Sequence, residues 1–137
     1  MIWDEYFSPN DMDEYAQFEK RYVAEMTADT YGGKTPQETL DLFIAALKKE
    51  DVDLAAKYFM LDDHLSRERW IGSLAELNGK GLLDDMAMDI EGAKPDLDSK
   101  TGENDFKFAV YDNNGVVGAL VDMQFNTFSK VWKIENL

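Results

Sequence analysis

The chain has 137 residues and a mass of 15.7 kDa, enough for one domain with its own core, and 45% of its residues are hydrophobic. Asp and Glu number 28 against 14 Lys and Arg, giving a charge of −14 and an isoelectric point near 4.3. That balance lacks the basic footprint a nucleic-acid binder needs, disfavours adhesion to an anionic membrane, and suits solubility, mimicry of nucleic acid or docking to a basic protein; the absence of cysteine removes disulfides, thiolate nucleophiles and Cys-based metal sites.

Residues 1–33 carry eight acidic side chains against Lys20 and Arg21. Ser8 before Pro9 is a plausible helix start, and Tyr15, Phe18, Tyr22 and Met26 then recur at helical spacing until Gly32-Gly33 ends the run. This pattern predicts a helix of about 20 residues whose aromatic stripe packs on the rest of the domain. Next, Thr35-Pro36-Gln37-Glu38 combines an N-cap, proline at the first helical position and glutamate at the capping-box position. Leu40, Phe43, Ile44 and Leu47 share one face of the helix that follows, and Lys48 and Lys49 suit the negative end of its dipole. Asp51 starts another helix at once, with Leu54, Ala55, Tyr58 and Phe59 as its apolar stripe. A third helix of this unit is expected from Ser66 through Trp70, Leu74 and Leu77 to Gly79, followed by a short helical turn in LLDDMAMDI.

The remainder reads as β. Pro95 argues against a central strand in the connector GAKPDLDSKTGEND. Phe106, Phe108 and Val110 alternate with Lys107, Ala109 and Tyr111, and Asn114-Gly115 supplies a tight hairpin turn. Ala119, Val121, Met123 and Phe125 alternate next, and KVWKIENL closes the chain with Trp132 and Ile134 on one face. Helices first and strands last predict an α+β domain, its N-terminal helices packed on a curved antiparallel sheet formed by the C-terminal part. The division expected is an acidic, aromatic-rich helical extension over 1–33 and a cone-like α+β domain over 34–137. No signal peptide is expected in the opening MIWDEYFSPN, and the apolar run LFIAAL falls far short of the roughly 20 residues a membrane span needs.

Thr35-Pro36, Lys48-Lys49, Asp51 and Ala55-Ala56-Lys57-Tyr58, with the terminal KVWKI, resemble the small bacterial domains of the nuclear-transport-factor-2-like superfamily, and within it the lipoprotein-type members. The resemblance spans about residues 34–137. It implies a cone of helices packed into a curved sheet, an extracytoplasmic place with a membrane anchor upstream, and a monomer or weak homodimer. It carries over no catalytic residue, although that superfamily includes isomerases, dehydratases and epoxide hydrolases as well as binders.

The remaining candidates are judged on their chemistry. His64 beside Asp62 and Asp63 reads as a solvated connector rather than an acid/base pair or a metal site. Asp96, Asp98 and Gly102 hint at a calcium loop, but Lys100, Thr101 and Lys107 stand where an EF-hand places an oxygen ligand, glycine and glutamate. Tyr58, Trp70, Phe108, Phe125 and Trp132 are the residues that could line a ligand pocket between helices and sheet, with filling of the core as their plainer use. The expectation is a non-catalytic domain without metal or cofactor that binds a small ligand or a protein. A small enzyme acting on a hydrophobic substrate and an acidic cytoplasmic inhibitor of immunity type are the competing readings.

Overall fold

The structure, a computed structural model, describes residues 9–60, 64–96 and 102–137. Among the described residues five helices precede a four-stranded antiparallel sheet, so the domain is α+β with its helices N-terminal. The helices are α1 (Pro9–Ala28), α2 (Pro36–Lys48), α3 (Val52–Lys57), α4 (His64–Gly79) and α5 (Leu83–Glu91). The strands β1 (Lys94–Pro95), β2 (Asp105–Tyr111), β3 (Val117–Asn126) and β4 (Val131–Asn136) lie side by side in chain order.

Local chemistry sets the α2–α3 pair. The Thr35 hydroxyl accepts from Glu38 N at 3.1 Å, while the Glu38 carboxylate accepts from Lys34 N at 2.8 Å, so both chains of contact cap the start of α2. Glu50 takes a φ of 58° and lets Asp51 N reach back to Ala46 O at 3.0 Å, which closes the helix. Asp51 then caps Leu54 N at 3.1 Å, so only three residues separate the helices. Their shared direction buries Leu40, Phe43, Ile44 and Leu47 of α2 with Ala55 and Ala56 of α3.

The core lies between these helices, α4, α5 and one face of the sheet. Phe59 is its hinge: Phe43 meets it edge-on at 5.4 Å, and Trp70 of α4 stacks on it at 4.2 Å. Leu83, Ala87 and Ile90 of α5 and Phe108, Val121, Met123 and Ile134 of the sheet complete the cluster. Irregular register between Val110 and Tyr111 and between Asp122 and Met123 bends the strands around the helices. The outer edge of β4 is not left open. Met60 N donates to Ile134 O at 2.7 Å, Ile134 N to Tyr58 O at 2.9 Å and Trp132 N to Gly33 O at 2.9 Å, so connecting segments cover it.

The hairpin at Asp112–Gly115 forms as its residues dictate. Asp112 Oδ1 accepts from Asn114 N and Val116 N at 2.8 and 2.9 Å, and Gly115 sits at a φ of 78°. Elsewhere the structure departs from the pattern reading. LLDDMAMDI belongs to a full nine-residue helix rather than a turn, because Leu83, Ala87 and Ile90 fall on one buried stripe. The helix through Trp70 begins at His64, not after a cap at Ser66. Lys94-Pro95 adds a short edge strand, where proline needs no donor. Above all, the stripe of α1 does not pack on the domain: of the side chains described from 14 to 28, Met26 alone is buried.

Candidate functional site

β4 turns Trp132 and Ile134 to one face, so the intervening Lys133 points to the other. There its side chain is completely buried. Nζ donates to Asp29 Oδ1 at 3.0 Å, to Tyr31 O at 2.6 Å and to Lys57 O. An ammonium has three protons and three acceptors meet them, so the group is saturated. Burial pulls its pKa down from 10.5 to about 8, Asp29 opposes that through its charge and hydrogen bond, and the Arg67 cation adds to the lowering. Lys133 is therefore still an ammonium at neutral pH, with no lone pair for nucleophilic or basic work. It ties three chain segments together.

Those segments are brought there by a close backbone approach. After α1 the chain crosses the edge of β4 at Gly32 and Gly33. A Cβ on Gly32 would lie 2.3 Å from Trp132 O, and one on Gly33 2.2 Å from Glu38 Cβ. Gly33 N donates to the buried Thr39 hydroxyl at 2.8 Å, which donates onward to Trp132 O at 2.8 Å. The end of α1 is also fixed from the β3–β4 turn: the fully buried Asn126 donates from Nδ2 to Met26 O at 3.0 Å, and its Oδ1 accepts from Phe128 N and Ser129 N.

Beside this junction lies an open pocket of about 470 Å³, lined by Glu25, Ala28 and Asp29 at the end of α1, by Tyr31, and by Arg67, Glu68 and Ile71 of α4. Asp29, whose charge is held by the fully buried Lys133, contributes to its lining. Arg67 Nη2 lies 3.7 Å from Asp29 Oδ2, and among the described residues neither Oδ2 nor Arg67 Nε and Nη2 has a hydrogen-bond partner. Tyr31 is steadied by the Lys57 ammonium, 4.8 Å from its ring centroid, and by the edge of Tyr58 at 6.4 Å. Asp29 is paired with Lys133, and Glu25, Glu68 and Arg67 are the other charged side chains of the lining. Ala28, Ile71 and Tyr31 give it apolar walls.

The five aromatic residues singled out in the sequence lie elsewhere. Tyr58 and Phe108 are buried members of the core cluster, and Trp70 and Trp132 pack against it. Phe125 meets Trp132 at 5.4 Å across β3 and β4. None of the five lines the pocket at the foot of α1. The Tyr58 hydroxyl is pushed up, first by burial and then by Tyr31 and Asp51, which makes it a poorer proton donor than a free phenol. Asp62, Asp63 and Asp98 fall outside the described residues, and with them the acid/base reading of His64 and the calcium reading of the Asp96 loop. Among the described residues no three His, Cys, Asp or Glu side chains gather as metal ligands, and no helix is long and apolar enough to cross a membrane.

Asp29, Arg67 and Lys133 went unmarked in the sequence. A lysine between Trp132 and Ile134 in an alternating strand reads as solvent-facing, and nothing local announces a carboxylate more than a hundred positions away. Comparison of the chain with protein-family models, with curated proteins and with solved structures gives no match.

Proposed function

We propose that the chain is a non-catalytic, extracytoplasmic binding domain whose ligand site is the acidic pocket at the foot of α1, and that its ligand presents a cationic group on an apolar body. One observation carries this reading: the pocket's lining sets the exposed Glu68 carboxylate beside the apolar walls of Ala28 and Ile71, next to an Asp29 whose charge is held by the buried ammonium of Lys133. A saturated, sealed lysine favours binding over bond-making. The helices-first order and the bent sheet support keeping company with the nuclear-transport-factor-2-like domains, and with them the proposal of an anchored, extracytoplasmic setting. Exposed Val116, Gly118 and Leu120 on the β2–β3 hairpin support a monomer that self-associates weakly at most.

Titration of isotope-labelled protein with phenethylamine and benzamidine tests the site, with phenylpropionate as the matched anion. The amines are expected to shift backbone resonances of Tyr31, Arg67 and Ile71, and Glu68→Gln to weaken them. Shifts confined to another surface, or a preference for the carboxylate, would overturn the proposal.

A further inference from the structure

Helix α1 leaves the domain after anchoring only its last turn. Met26 is buried and Tyr22 meets the edge of Phe128 at 6.2 Å, but Tyr15 and Phe18 stay 68% and 59% exposed and Tyr22 37%. At 1.5 Å per residue, its twenty residues reach roughly 30 Å. The spacing 15, 18, 22 sets the three rings in one row. Taking about 200 Å² for a whole aromatic side chain, their exposed share is on the order of 300 Å², which puts the row among the larger apolar patches a monomer carries. A helix packed only near its C-terminal end gains little tertiary support for the rest of its length, so this face is incomplete by itself.

Charge decides what completes it. On the helical wheel Glu14 borders the row on one side and Glu19 on the other, and both are exposed. Asp11, Asp13, Glu14, Glu19 and Glu25 against Lys20 and Arg21 leave the helix at −3. A second copy would bring the same carboxylates together on a body of charge −14, and an anionic lipid surface would meet the same repulsion. Aromatic faces flanked by carboxylates suit lysine and arginine, which stack on the rings and pair with the acids. We infer that the outer face of α1 is a docking surface for a basic amphipathic segment of another protein, its apolar side on Tyr15, Phe18 and Tyr22 and its cations between Glu14 and Glu19.

The test uses the full chain and a fluorescent synthetic amphipathic helix, leucines along one face and lysines along the other, followed by anisotropy. Binding is expected to weaken at least about tenfold when salt rises from about 50 to 500 mM, because these contacts are exposed and screened. It is also expected to weaken at least about tenfold in Tyr15→Ser with Phe18→Ser, and to stay unchanged in Met88→Ser, a control that removes an exposed apolar side chain of α5. The double variant should keep its urea midpoint, because neither ring is packed. Equal affinity of the double variant for the peptide would overturn the inference, as would a peptide affinity indifferent to salt. Sedimentation showing a dimer that the double variant dissolves would overturn it too, by making a second copy the occupant.

Discussion

Lys133→Met is the most informative single perturbation of this fold. Methionine keeps the length of the side chain and fills its space, so the substitution removes a charge and three donated hydrogen bonds with little change in packing. Two effects compete. The ammonium is unhappy where it sits: a pKa lowered from 10.5 to about 8 corresponds to roughly 3 kcal/mol of native-state cost that methionine relieves. Against this, Asp29 keeps only 5% of its side chain exposed and would face Arg67 Nη2 at 3.7 Å as its nearest cation, while Tyr31 O and Lys57 O lose their donor. Stranding one member of a buried pair costs about 3–5 kcal/mol on mutational precedent that already includes such relief. The expected result is destabilisation of that size, seen in urea unfolding as a midpoint lowered by about 2 M for a slope near 2 kcal/mol/M. Asp29→Asn should cost less, because Lys133 can shed its proton when its counterion is gone. The double variant should then be more stable than the sum of the singles predicts, by at least about 1 kcal/mol. A Lys133→Met loss below about 1 kcal/mol, or strict additivity with Asp29→Asn, would refute the view that this lysine pins the junction.

The same group predicts a pH dependence. Between about pH 8 and 10.5 the unfolded lysine holds its proton while the folded one has released it, so this residue's contribution to stability rises with pH and is lost as pH falls through about 8. Wild type should therefore gain on Lys133→Met by about 2 kcal/mol from pH 7 to 9.5 in parallel urea titrations, a range in which the raised Tyr58 hydroxyl stays protonated; a flat difference would contradict it. Gly32→Ala, whose Cβ would meet Trp132 O at 2.3 Å, should destabilise by about 2 kcal/mol or more, whereas Gly72→Ala, on α4 with nothing within 4 Å, should stabilise by about 0.5–1 kcal/mol; thermal melts of the pair check both signs. Thr39→Val removes the hydroxyl that joins Gly33 N to Trp132 O and should cost about 1–3 kcal/mol by chemical denaturation, with the backbone amide of Gly33 losing exchange protection.

What could be read in advance was local. The caps at Thr35 and Asp51 and the turn at Asn114-Gly115 are decided within four residues, and the structure forms each as its side chains require. α5 was underestimated because Leu82, before its start, offers no side-chain cap; burial of Leu83, Ala87 and Ile90 holds it instead. A stripe such as Tyr15, Phe18, Tyr22 and Met26 reveals that a face is apolar but not which surface covers it, and the domain covers only the Met26 end. The junction at Lys133 was the least legible part. Its partners come from positions 29, 31 and 57, and the alternation of Trp132 and Ile134 assigns it to solvent.

The exposed arm and the buried lysine have a common physical origin. A helix that carries acids into its last turn sets Glu25 and Asp29 against its own negative dipole end, and α1 has no basic residue there. Lys133 supplies the missing positive charge from another element, and Asn126 adds a donor to the carbonyl of Met26. The helix thereby gains from β4 and the β3–β4 turn the termination its own sequence does not provide. An exposed apolar row on a helix fixed at its C-terminal end, with a pocket at that end, would give the proposed partner both a rail and a socket. Loosening the junction by Lys133→Met should therefore weaken peptide capture by α1 even though no residue of the docking face has changed.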